Sequence, residues 1–273
     1  MTTQAEKGRA FAALHTRDGA FIIPNPWDAG TARLLAYLGF EALATTSAGY
    51  AFSAGHRDNA TSRQEMMAHV SAIVSATDLP VSADLENGFG DAPEIVAETI
   101  RLAAAAGVAG GSIEDMSPEP GHSIYEHAYA VERVRAAAEA ARALPIAFTL
   151  TARCENYLVG RPDLRDTIKR LQGYQEAGAD VLYAPGLSNK DDIAAVAGSV
   201  DRPVNVVMGL QGVQLSLAEL SAVGVKRVSV GSALSRAAWG AFLRAAREMR
   251  EQGTFAFAKE AVSFREISEM FPA

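Results

Sequence analysis

Eight short apolar runs recur along the chain with helical patterns between them, and that alternation limits the folds open to it. The runs are Phe21–Asn25, Ala42–Ser47, Pro80–Leu85, Gly111–Asp115, Ile146–Arg153, Val181–Pro185, Pro203–Met208 and Arg227–Gly231. Most are continuously apolar rather than alternating, which marks strands buried on both faces, as in parallel sheets. Helical patterns fill the gaps at Thr31–Leu38, Ser62–Thr77, Pro93–Ala106, Glu126–Ala143, Leu164–Ala177, Lys190–Ala197 and Leu217–Val223. Gly107, Gly178 and Gly224 stand where three of these helices end, as C-cap glycines do. Strict β–α alternation repeated eight times predicts an α/β protein, a (β/α)8 TIM barrel, with residues 1–273 as one domain. A doubly wound open sheet is the alternative, and eight regular units disfavour it. Two more helices are predicted after the last strand, Ser232–Glu251 and Phe255–Met270, broken at Gly253. The second can pack on its own barrel or on a neighbour's. The stretch Ala48–Thr61 is long for a connection after a strand, and such loops often serve as lids.

Composition narrows the partners. Hydrophobic residues make up 49% of the 273, enough for the core that a barrel requires. The net charge is −7 and there is no basic run, which argues against nucleic acid. A lone cysteine, Cys154, excludes an internal disulfide framework and a cysteine-based zinc site. The polar first residues lack the apolar core of a signal peptide, and no apolar run approaches the ~18 residues of a membrane span. A cytoplasmic protein that does not enter membranes is expected.

In such barrels chemistry sits at the carboxyl ends of the strands. Four acidic residues gather there: Asp84 and Glu86 after the third strand, Glu114 closing the fourth, and Asp58 in the long loop. Residues two apart on a strand share a face. Like charges so close repel unless a cation sits among them. All-oxygen ligands suit a hard divalent ion, Mg²⁺ with Mn²⁺ as the alternative. Arg153, ending the fifth strand, can grip a carboxylate with two parallel hydrogen bonds. Backbone N–H groups of Ser47, Ala48 and Gly49 offer a second oxyanion site. Asn205 on the seventh strand either binds substrate or satisfies barrel hydrogen bonds. Together these groups suit a small 2-oxo acid.

The segments Pro24-Asn-Pro-Trp-Asp28-Ala-Gly, Thr46-Ser47-Ala-Gly49, Asp84-x-Glu86-x-Gly88-Phe-Gly90, Ile113-Glu114-Asp115 and Thr151-Ala-Arg153 resemble the isocitrate lyase / phosphoenolpyruvate mutase superfamily. The resemblance spans nearly the whole chain, in order. It implies Mg²⁺, a last helix exchanged between subunits (here residues 254–273), and a homotetramer built as a dimer of dimers. It also implies making or breaking a bond beside the carbonyl of a 2-oxo acid. On this resemblance Asp84 binds the metal directly, and Asp58, Glu86 and Glu114 bind it directly or through water. Ser47–Gly49 and Arg153 would hold the substrate. Glu86 stands where the family carries Asp.

Two departures bear on activity. The lyases carry a Lys-[Lys/Arg]-Cys-Gly-His loop after the fourth strand, and here Met116-Ser-Pro-Glu-Pro120-Gly121-His122 replaces it with no cysteine and no basic pair. Gly186 replaces the lyase glutamate after the sixth strand. A Mg²⁺-dependent C–C lyase or decarboxylase on an oxaloacetate-like acid, passing through an enolpyruvate intermediate, therefore leads the expectations. Tyr50 and His122 are the candidate acid–base groups beside Arg153. The alternatives are a 2-oxo acid binding protein with little catalysis, and P–C chemistry on phosphonopyruvate.

Overall fold

The computed structural model describes residues 2–118, 121, 123–210 and 214–271. Among them, β1 (Phe21–Ile23), β2 (Leu43–Ala44), β3 (Val81–Asp84), β4 (Gly110–Glu114), β5 (Thr149–Arg153), β6 (Val181–Tyr183), β7 (Val204–Val207) and β8 (Arg227–Ser229) form one sheet. Neighbours follow the order β1-β8-β7-β6-β5-β4-β3-β2, and every pair is parallel. At the seam between β1 and β2, the Ala44 N–H donates to the Pro24 carbonyl at 3.1 Å. Asn25 Nδ2 donates to the Thr45 carbonyl at 3.0 Å. The fold is a (β/α)8 TIM barrel, as the alternation predicts.

The helices are α1 (Gln4–Leu14), α2 (Ala29–Tyr37), α3 (Ser47–Ser53), α4 (Arg63–Ser75), α5 (Pro93–Ala105), α6 (His127–Arg142), α7 (Leu164–Ala177), α8 (Lys190–Gly198), α9 (Leu217–Ala222), α10 (Ala233–Gln252) and α11 (Phe264–Glu269). Their inner faces meet the outer faces of the strands in two large apolar clusters. Met66, Val70, Val96 and Ile100 pack with Leu85 and Ile113 on one side, and Leu171, Tyr174, Ile193 and Val196 with Leu182 and Val206 on the other. The α7 helix ends at Gly178 with φ 108°, where a Cβ would lie 2.5 Å from the Arg142 guanidinium, so glycine is needed for both reasons.

Three elements differ from the sequence reading. Helix α1 was not foreseen. Its Thr3 and Glu6 form a reciprocal capping box, and its Phe11 and Leu14 pack with Phe21, Ile23 and Ala109. The predicted strand Ala42–Ser47 ends at Ala44, because Thr46 turns the chain by accepting the Gly49 N–H and opens α3 inside the supposed loop. The predicted helix Phe255–Met270 is a 3₁₀ turn at Ala256–Lys259 followed by the short α11.

Candidate active site

The carboxyl ends of the strands surround a cavity of about 190 Å³. Asp84 and Arg153 are the last residues of β3 and β5, and both line it, with Asp58, Ser47, Tyr183, Asn205 and Arg227. Glu114, the last residue of β4, is in register with Arg153.

Arg153 organises the acidic groups. Its Nη1 contacts Asp84 Oδ1 at 2.9 Å, Nη2 contacts Glu114 Oε2 at 3.0 Å, and Nε contacts Glu155 Oε1 at 2.9 Å. Burial disfavours the charge on Arg153, but Glu155, Glu114 and Asp84 outweigh it and hold the guanidinium well above its ordinary range. The face of Tyr183 lies 5.3 Å below the guanidinium carbon. The other carboxylate oxygen of Asp84 accepts from the Ser47 N–H at 3.0 Å and from Ser47 Oγ at 2.9 Å. The Gly49 N–H is spent on Thr46. Two of the three backbone donors predicted for a substrate oxyanion therefore already have partners within the protein, while Ala48 lines the cavity beside them.

The four acidic residues do not share one cavity. Asp58 and Asp84 face the barrel mouth, whereas Glu86 and Glu114 line an adjoining cleft with Asn59, Thr61 and Met116. Burial, then Asp84 and Asp58, push the Glu86 carboxyl up to about 7. Its Oε1 is buried without a hydrogen-bond partner. Glu86 also sits at φ 50°, a left-handed conformation uncommon for a non-glycine residue. Burial pushes Glu114 well up against the pull of Arg153. Desolvation and then Asp84 raise Asp58. Among the described residues no group of three or more His, Cys, Asp or Glu side chains is arranged to hold an ion. Arg153 instead provides the counter-charge to Asp84 and Glu114. The donors still fit a hard divalent cation in kind, because all are oxygens, three are crowded by like charge, and Glu86 Oε1 has no partner.

The remaining expected residues fall in different places. The Tyr50 ring stacks on His69 at 4.0 Å and packs against the cluster around α4, and it does not line the cavity. His122 lies outside the described residues. Around it the loop is clipped at its base by a bridge between Met116 and Ile124 and by the Ser117 N–H donating to the Ser123 carbonyl. Asn205 lines the cavity with both ends of its amide engaged: Oδ1 accepts from Arg227 Nε at 2.9 Å and Nδ2 donates to Ser229 Oγ at 3.0 Å. Gly186 has φ 90°, and a Cβ there would come 2.8 Å from Tyr157 Cβ, so this backbone has no place for an acidic side chain.

Sequence reading missed Tyr183 and Arg227. The barrel's pairing brings both to the cavity: Arg153 is in register with Tyr183, Tyr183 with Asn205, and Asn205 with Arg227. Burial pushes the Tyr183 hydroxyl up, so it stays protonated.

The chain is similar to several known proteins. The family model described as phosphoenolpyruvate phosphomutase matches residues 11–250. A Burkholderia cenocepacia protein solved as a candidate lyase/mutase is 67% identical, with a TM-score of 0.97 over 99% of this chain and 97% of that one. The 2,3-dimethylmalate lyase of Eubacterium barkeri is 30% identical over 217 residues, covering 74% of this chain and 72% of the lyase. The oxaloacetate decarboxylase of Chromohalobacter salexigens is 29% identical over 248 residues, covering 88% and 84%. The chain belongs to the phosphoenolpyruvate phosphomutase family, within the isocitrate lyase / phosphoenolpyruvate mutase superfamily.

Proposed function

We propose that this protein is a Mg²⁺-dependent lyase, most simply a decarboxylase of an oxaloacetate-like 2-oxo acid. The observation that carries the reading is the pairing of Asp84 with Arg153 at 2.9 Å in one cavity at the barrel mouth. The relationship to a dimethylmalate lyase and an oxaloacetate decarboxylase supports it.

Asp84, with Asp58, Glu86 and Glu114 nearby, would hold the cation, which supplies Lewis-acid polarisation of the substrate's keto oxygen when bound. The chain's own groups do the rest. Arg153 has five N–H donors and spends three on carboxylates, which leaves two to orient the substrate carboxylate. Ser47 holds Asp84 in place through two hydrogen bonds. In decarboxylation the C–C bond to the leaving carboxylate breaks, CO₂ departs, and the electron pair passes into the enolate of the remaining 2-oxo acid. Tyr50 is turned towards His69, so water at the open mouth would protonate the enolate carbon. Decarboxylation needs no acid at position 186, where the backbone excludes a side chain.

A second reading, a 2-oxo acid binder with little turnover, is favoured by the placement of Tyr50 against His69 and by the glycine at position 186, neither of which offers the cavity an acid. We also propose that α10 and the segment after it cover a second copy of the chain, building a homo-oligomer.

Calorimetric titration with pyruvate and oxaloacetate, with Mg²⁺ and with chelator, tests the site. Binding is expected only with Mg²⁺, and Asp84→Asn should weaken it by about tenfold or more. Equal binding by the variant, or binding indifferent to the metal, would remove Asp84 from the site.

A further inference from the structure

A second cavity opens at the opposite end of the barrel from the mouth. It lies at the amino ends of β5, β6 and β7, where Thr149 and Val181 begin their strands and Pro203 precedes the third. Helix α1 lines it with Ala12, α6 with Ala138 and Ala141, and the approach to β5 with Phe148. Its volume is about 430 Å³, against 190 Å³ at the mouth, and falls in the range of small-molecule sites.

Two arginines and one acid border this apolar space. Arg142, the last residue of α6, is held in place: its Nη2 donates to the Gly178 carbonyl at 3.1 Å, and Gly178 has no Cβ to displace the guanidinium. Arg202 stands just before β7. Among the described residues neither arginine forms a direct ion pair, although both act on Asp180 from further away. One oxygen of Asp180 is already spent, since Oδ2 accepts from the Leu150 N–H at 2.8 Å. Burial raises the Asp180 carboxyl, and the Leu150 N–H and then the two arginines act against it. His15 adds no charge, because burial and then Arg227 hold its imidazole down to about 3. Two arginines against one carboxylate leave the lining net positive, in a chain whose net charge is −7.

Thr149 is a second, independent sign of a ligand. It is 5% exposed and lines the cavity, yet its hydroxyl gives no hydrogen bond to any described residue and takes none. Buried hydroxyls without a partner are uncommon. A mere packing gap under α1 would be apolar throughout, as dry cavities are.

We propose that this cavity binds a small monocarboxylate with an apolar body, its carboxylate held by Arg142 and Arg202 and its body lying against α1 and α6. A doubly charged anion would exceed the net charge of the lining. A polar body would find few partners on Phe148 and the alanines. The site is separate from the mouth and does not depend on the 2-oxo acid reading.

Calorimetric titration of the full chain with phenylacetate and with hexanoate, in chelator, tests this. At least one acid should bind, about fivefold tighter or more than its uncharged amide and more tightly than acetate. Arg142→Gln and Arg202→Gln should each weaken that binding about threefold or more, whereas Arg142→Lys and Arg202→Lys should keep part of it. Both arginines are exposed, so the variants should melt with the unaltered protein. Asp84→Asn, at the mouth, should bind the acid as the unaltered protein does. Failure of both acids to bind, an amide that binds as tightly as its acid, or an affinity untouched by both glutamine variants overturns the proposal. An affinity lost in Asp84→Asn would place the acid at the mouth and overturn it as well.

Discussion

Arg153 and Arg227 are the same residue type in opposite electrostatic settings. The first is held by three carboxylates, and the second by an amide, a hydroxyl and a neutral imidazole. The place of Arg153 at the barrel mouth among the acids could be read from the sequence, because it closes an apolar strand run and so stands at the same end as the strand-end acids. That of Arg227 could not, because a charge at the start of a strand looks like a surface residue until barrel pairing turns it inward. The split of Glu86 and Glu114 from Asp58 and Asp84 was also illegible, since strand order places residues at one end without saying which cavity their side chains enter. Two buried histidines give a pH signature. Burial holds His15 down to about 3 and His69 to about 4, against an ordinary 6.5. Unfolding lets them take up protons that the folded state refuses, so their stabilising contribution is complete above about pH 6.5 and is lost as pH falls towards 4. The melting temperature should fall across that window. His69→Phe should make the fall shallower in a thermal melt series, and an unchanged slope would show that His69 does not titrate in this way.

Among the elements, the strands and the ring helices were the legible part, because continuous apolar runs and helical periodicity are local signals. Helices α1 and α3 were not. The Thr3–Glu6 capping box was visible in the sequence, but α1 precedes the first strand and has no place in a β–α repeat. The segment of α3, Ser-Ala-Gly-Tyr-Ala-Phe-Ser, is short and carries a glycine, so it reads as loop. Its helix depends on the Thr46 cap and on Gly49, where a Cβ would come 2.6 Å from Thr46 Cγ2. Helix α1 contributes to the barrel through Phe11, which is fully buried among Phe21, Ile23 and Ala109. Phe11→Ala should therefore cost about 3–5 kcal/mol in urea unfolding, the range for an aromatic removed from a core. A cost below about 1 kcal/mol, within the range of surface substitutions, would mean α1 is a loosely held appendage.

For the whole molecule, the part that the barrel leaves uncovered is its carboxyl-terminal end. Helix α10 runs for 20 residues with only Ser235 buried, while Leu234, Phe242, Leu243 and Met249 are exposed and Phe264 beyond it is 88% exposed. An amphipathic helix with its apolar face uncovered is the signature of a surface that another protein covers. If that protein is a second copy, removing residues 254–273 should yield smaller and less stable particles by sedimentation velocity. Particles of unchanged association state would contradict the proposed exchange.

The proposed Mg²⁺-dependent reaction of a 2-oxo acid at Asp84 and Arg153 ends in release of CO₂. The most direct measurement is the rate of CO₂ release from oxaloacetate above the uncatalysed rate, with Mg²⁺ and with chelator, for the unaltered protein and Asp84→Asn. Turnover that requires Mg²⁺ and drops by about a hundredfold or more in the variant is the expected result. Oxaloacetate binding with no CO₂ release above background would contradict decarboxylation and leave the protein a binder, and turnover retained by Asp84→Asn would move the chemistry away from this site.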